Sequence, residues 1–144
     1  MGYYMDQMDS KFFIAGEHIP AMIKAIHALA FRNDLMGGGS YQNGEIVSRH
    51  YSWVNNDFVD CHDVKELFRK WRWSIELEDE NIVSIFFDGD KMGDDEVLMN
   101  AIAPYVESGS YIEMRGEDSS TYTMWRWCFD GKTMVEKYPT IVWE

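Results

Sequence analysis

At Trp71-Arg72-Trp73 the spacing of apolar residues changes its period. Before it, Val64, Leu67, Phe68 and Trp71 recur every three or four residues, which is one face of a helix. After it, Trp73, Ile75 and Leu77 alternate with Ser74, Glu76 and Glu78, which is the period of a half-exposed strand. Trp71 therefore closes a helical stripe and Trp73 opens a strand. The chain mixes both kinds of element, and the rest of the sequence shows in what order.

Residues 2–14 alternate loosely and end in Phe12-Phe13-Ile14, which predicts a first strand. Over 17–31, Ile19, Met22, Ile23, Ile26, Leu29 and Ala30 form an i, i+3, i+4, i+7 stripe, with Pro20 where a first helical turn tolerates it. Gly37-Gly38-Gly39 and Gln42-Asn43-Gly44 read as loop. Between 41 and 59 the pattern is ambiguous, and Tyr51, Trp53 and Val54 fit a short strand or a packed loop. A second helix starts at Asp60 or His62, with Asp60 or Asp63 as its cap. Asp79-Glu80-Asn81 turns the chain into a returning strand, with Val83, Ile85 and Phe87 on one side and Ile82 and Phe86 on the other. A third helix over 94–106 is capped by Asp94 and ended or bent by Pro104. Strands follow at Tyr111–Arg115 and Thr121–Phe129. Asp130-Gly131 then signals a two-residue hairpin into a last segment, Lys132–Trp143, which Pro139 marks as an edge. The expected order is β-α-α-β-β-α-β-β-β. That is an α+β fold: a mostly antiparallel sheet of five to six strands, with three helices mainly on one face.

A chain of 144 residues with 46% hydrophobic residues supports a single globular domain spanning 1–144. Two cysteines, Cys61 and Cys128, do not make a disulfide framework, which favours a reducing interior. The N-terminal residues lack the basic and apolar regions of a signal peptide, and Asp6 stands where a myristoylation site wants Ser or Thr. No apolar run nears the roughly 18 residues of a membrane span. The expectation is a soluble protein of the bacterial cytoplasm.

The formal net charge is −12, and its distribution is uneven. Residues 73–118 hold thirteen carboxylates against Lys91 and Arg115, a local balance of −11. Such a chain lacks the basic footprint of a nucleic-acid binder and is repelled by anionic lipid. Glu78, Asp79, Glu80, Asp88, Asp90, Asp94, Asp95 and Glu96 are the densest acids. One reading makes them a solvated face that also complements the dipole of the third helix. A second makes Asp88-Gly89-Asp90 a cation loop, although the calcium ladder and its terminal Glu are missing. A third makes the acids a surface that docks on a basic partner by imitating a phosphate row, with steering that fades in salt.

Other chemistry is sparse. His18 and His27 are nine residues apart, about 900° of helix, and so lie on opposite faces. Cys61-His62-Asp63 is a compact donor set without a second pair at zinc spacing. Nucleophile-elbow, Walker, zincin and dinucleotide fingerprints are missing, and no pair of carboxylates stands out as an acid/base couple. No catalytic residue, metal or cofactor is expected. Trp-Arg-Trp occurs at 71–73 and again at 125–127, where Trp125, Trp127 and Phe129 share one strand face. Core packing explains these rings, and an exposed aromatic platform is the functional alternative. Aromatics and Arg also anchor protein interfaces, a role open to Tyr3, Tyr4, Tyr41 and Tyr51.

The run Ile102-Ala103-Pro104-Tyr105-Val106-Glu107, then Gly109-Ser110-Tyr111-Ile112-Glu113-Met114-Arg115-Gly116-Glu117-Asp118, then Trp125-Arg126-Trp127-Cys128-Phe129, resembles a group of small acidic proteins. These are encoded in phages, prophages and other mobile elements. The likeness is best over 97–143, and the turn Ser119–Met124 is longer here than it implies. The resemblance implies an α+β fold and a mobile-element origin, and no catalytic residue transfers with it. The functional expectation is a non-enzymatic inhibitor of a host defence effector, such as a CRISPR nuclease, acting through a nucleic-acid-mimicking acidic surface. The alternatives are an immunity or antitoxin protein that neutralises a basic toxin nuclease, and a small-ligand-binding protein.

Overall fold

The computed structural model describes residues 3–118 and 123–144. Among the described residues three α-helices are interspersed with eight strands. Strand β1 is Met5–Lys11, helix α1 Ile19–Ala28, and the pair β2 and β3 Gly38–Gln42 and Glu45–His50. Helix α2 is Val64–Lys70, followed by β4 (Trp73–Glu78) and β5 (Asn81–Phe87). Helix α3 is Asp95–Ile102, and β6 (Tyr111–Gly116), β7 (Met124–Phe129) and β8 (Met134–Lys137) end the fold. All pairings are antiparallel, in a four-stranded sheet ordered β1-β6-β7-β8 and two ribbons, β2-β3 and β4-β5. The α+β class holds, while the single sheet of five to six strands is divided.

The division is narrower than it sounds. Strand β1 runs beside β5 and joins it at both ends. Met5 N–H donates to Asp90 O at 3.0 Å, and Ile14 and Ile82 exchange two backbone bonds of 2.9 Å. Between these ends the two strands do not pair through their backbones, and a bulge after Gln7 shifts the register of β1 with β6. Gln7 fills the gap with its side chain. Its Nε2 donates to Ile85 O at 2.8 Å, and its Oε1 accepts from Phe87 N–H at 2.7 Å. The carboxamide thus stands in for a missing stretch of strand.

The helical stripe of α1 is confirmed: Met22, Ile26 and Leu29 are buried, and Ile19, Ile23 and Ala30 pack against them. Helix α2 buries Leu67 and Phe68, and its cap is Asp63, whose carboxylate accepts from Lys65 N–H. Trp71, Phe58 and Tyr51 form one aromatic cluster, and Trp73 packs between Phe87 and Trp127. Trp125, Trp127 and Phe129 are all buried, so both tryptophans of the second Trp-Arg-Trp are core, while Arg126 faces outward.

Several local expectations are corrected. Residues 38–50 form the hairpin β2-β3, so Gly38, Gly39 and Gln42, expected in loop, lie in a strand, and Asn43-Gly44, both with positive φ, make its turn. Tyr51 and Val54 lie in a packed turn rather than a strand. The first strand stops at Lys11, leaving Ile14 as an isolated bridge. The register of β4-β5 shifts between Glu76 and Leu77, where Val83 is the extra residue on β5, so Ile82 and Ile85 are both fully buried; Leu77, opposite Ile82 near the tip, is 40% exposed. Asp130 begins a four-residue loop, since Phe129 pairs with Met134 and the Asp130 carboxylate accepts from the N–H groups of Lys132 and Thr133. Residues 119–122 of the long turn lie outside the described residues. Strand β8 is an edge, as Pro139 suggested. Among the described residues no helix is long and apolar enough to cross a membrane.

Candidate functional site

Arg72 is the joint between α2 and β4. Its φ is +72°, the left-handed conformation that usually goes to glycine just past a helix end. The chain swings there from helix to strand, and Arg72 O accepts from Asp88 N–H at 2.9 Å. The guanidinium lies over the Phe87 ring, 5.3 Å from its centre, and donates to Lys91 O. Its Nη2 is 2.8 Å from Asp95 Oδ2. The same carboxylate accepts from Trp73 Nε1–H and Gly93 N–H, both at 2.9 Å.

This geometry sorts the eight acids. Asp95 is 1% exposed and faces inward, so it is not part of any docking surface. Asp94 stands at the start of α3 but does not cap it with its side chain. Its Oδ2 instead accepts from Gly37 N–H at 2.9 Å and Ser52 N–H at 2.8 Å, tying two loops to the helix. Asp88, Asp90 and Glu96 are exposed near this base, and the Ser74 hydroxyl donates to Asp88. Glu78, Asp79 and Glu80 occupy the far tip of the β4-β5 ribbon, where Asp79 and Glu80 supply a turn with both φ positive. Five residues of strand separate tip from base, ~17 Å. The acids therefore form two groups rather than one row. Glu76, exposed on the outer side of β4, stands between them and is missing from the expected set. Its signal was present in the alternation of β4. Among the described residues Asp95 alone of the eight has a basic side chain within 4 Å.

Beside the base lies a cleft of about 320 Å³ lined by Trp53, Arg72, Gly89, Asp90 and Lys91. Trp53 has φ +67°, a strained conformation for a bulky residue. The other non-glycine residues with positive φ, Arg72 aside, sit in hairpin turns. Gly93 separates Trp53 from Arg72: a Cβ there would lie 2.7 Å from Arg72 Nη2 and 3.0 Å from Trp53 Cδ1. Of the expected interface tyrosines, Tyr3 and Tyr4 are exposed, whereas Tyr51 is fully buried. Burial pushes the Tyr51 hydroxyl up to about 12, and it donates to Leu29 O at 2.7 Å. Trp53 is the exposed aromatic that periodicity missed, because a residue in a turn belongs to no stripe.

Comparison with known proteins found no matching family, no matching curated protein and no matching solved structure.

Two further places bring reactive side chains together. His27 reaches the Cys61-His62-Asp63 segment: its Nε2 lies 2.7 Å from Cys61 O and its ring 5.3 Å from that of His62. Among the described residues no three His, Cys, Asp or Glu side chains gather as a metal-holding group, which also covers Asp88 and Asp90. On the outer face of the four-stranded sheet a groove of about 430 Å³ is bordered by Met124, Cys128, Tyr138 and Pro139. Its floor is polar where Arg126 pairs with Glu113 at 2.8 Å and stacks on Tyr111.

Proposed function

We propose that this chain is a non-enzymatic binding protein that docks on a basic, nucleic-acid-handling protein and competes with its nucleic acid. The target class we propose is a host defence effector such as a CRISPR nuclease, the kind of protein a mobile-element product would oppose. The observation that carries the reading is that seven of the eight acids lack an internal cation among the described residues. A field left unneutralised by the protein's own cations is available to a partner, and it speeds encounter in low salt. The docking surface comprises the tip group Glu78, Asp79 and Glu80, the base group Asp88, Asp90 and Glu96, and Glu76 between them. Asp94 and Asp95 hold the base in shape. Carboxylates on an edge strand also discourage pairing with other chains, a role that needs no partner.

The test uses a basic nuclease and its DNA in a mobility-shift competition at about 50 and 300 mM salt. The protein should displace DNA at the lower salt and much less at the higher. Glu78→Gln with Asp79→Asn and Glu80→Gln, and separately Asp88→Asn with Asp90→Asn and Glu96→Gln, should each weaken competition. Competition indifferent to both triple variants and to salt overturns the reading.

A further inference from the structure

The Nζ of Lys91 lies 5.3 Å from the ring centre of Tyr4 and 5.7 Å from that of Trp53. Both rings are about half exposed, Tyr4 at 51% and Trp53 at 52%. Lys91 is one of two basic residues in the acidic segment 73–118, with Asp88 and Asp90 as near neighbours in sequence. Yet among the described residues it makes no ion pair within 4 Å. Its ammonium rests on ring faces instead, at cation–π distances.

The rings are held from the backbone side. Tyr4 pairs with Lys91 as an isolated strand bridge, flanked by Met5 N–H to Asp90 O and Met92 N–H to Tyr3 O. Trp53 is set by its left-handed backbone, by Ser52 N–H on Asp94, and by the close approach of Gly93. Left-handed backbone at a non-glycine residue costs about 1 kcal/mol or more. Here it holds a large ring half in water, where burial repays only part of that cost. By contrast, the Lys91 stem is flexible and its head can leave.

We propose that Tyr4 and Trp53 form a cation cage, which Lys91 fills in the free protein and which a lysine or arginine side chain of the basic partner takes over on docking. This rests on the docking function above and names its anchor. Three observations favour a cationic guest. The cage already holds an ammonium. Asp90 lines the adjoining cleft, which has about 320 Å³ of room. The acids around it attract cations and repel anions. Lys91 acts as a competitor within the chain, lowering apparent affinity by the fraction of time it occupies the rings.

Two probes separate the cage from the docking function: tetramethylammonium chloride, against sodium chloride at equal ionic strength, and an octalysine peptide. Side-chain NMR follows the Trp53 indole and the Tyr4 ring. Lys91→Ala empties the cage, and Lys132→Ala makes the same charge change elsewhere. Trp53→Gly removes the ring while permitting the positive φ. Tetramethylammonium should shift Trp53 and Tyr4, and both probes should bind Lys91→Ala about three- to tenfold tighter than Lys132→Ala. Trp53→Gly should lose the Tyr4 shift. Equal affinity for the two lysine variants, or no response at Trp53, overturns the cage. If octalysine binding then still falls in the acid-to-amide variants, the docking function stands without it. Octalysine binding indifferent to those variants counts against docking, while the tetramethylammonium response still decides the cage.

Discussion

Arg72 and Asp95 form an ion pair 2.8 Å apart at the point where helix α2 becomes strand β4. The carboxylate is buried and also holds Trp73 and Gly93. Removing it leaves a largely buried guanidinium and two donors without an acceptor. Asp95→Ala should therefore cost about 3–5 kcal/mol in urea unfolding, whereas Glu78→Gln or Glu96→Gln should stay within about 0.5 kcal/mol. Equal effects would remove the distinction between holding and docking acids.

Gln7 joins β1 to β5 by two hydrogen bonds where the two strands do not pair through their backbones. Gln7→Ala strands Phe87 N–H and Ile85 C=O. The expected loss is about 2 kcal/mol, with faster amide exchange at Phe87 than in β6 or β7. Unchanged exchange at Phe87 would show that other contacts hold the strands together.

The Tyr51 hydroxyl is pushed up to about 12 by burial, from 10.0. The folded state thus holds this proton more tightly than the unfolded chain does. The resulting stability is complete below pH 10 and is lost as the pH rises from 10 towards 12. Tyr51→Phe should lower stability at neutral pH by about 1 kcal/mol, through the lost bond to Leu29 O, and should flatten the alkaline limb. Denaturant melts from pH 8 to 12 would check both.

Gly16 lets the acidic tip lie against the start of the first helical region. A Cβ there would stand 2.6 Å from Glu80 O, and Gly16 N–H donates to Asn81 Oδ1 at 2.8 Å. Backbone cannot move aside as a side-chain end can. Gly16→Ala should cost about 1–3 kcal/mol and displace the Asp79-Glu80 turn, seen as shifts in those amides. A neutral substitution would mean the tip is free to move.

Much of this was legible one element at a time. The stripe of α1, the period change at Trp71–Trp73, the Asp79-Glu80 turn and the edge character of β8 each follow from neighbours in sequence. Local periodicity reports which side of an element meets the core. The same logic failed where long-range contacts decide. Asp94 and Asp95 look like first-turn acids for the helix dipole, but their carboxylates serve loops and an arginine from other elements. Leu77 fits the strand period, yet near the tip of the ribbon it is 40% exposed while its partner Ile82 is fully buried.

The sequence by itself determined the α+β class, the helices, most of the strands and the concentration of charge in residues 73–118. Only the tertiary structure decided that the acids fall into two groups, that Asp95 is interior, and that Tyr4, Trp53 and Lys91 meet. Those three residues come from a strand approach, a turn and a loop, separated by about forty residues or more. No local pattern encodes their meeting, because it depends on β1 closing against the segment after β5 and on Gly93 drawing the Trp53 turn to Arg72. Hydrophobic periodicity records burial along one element, while a site assembled from several exists only once the chain has closed.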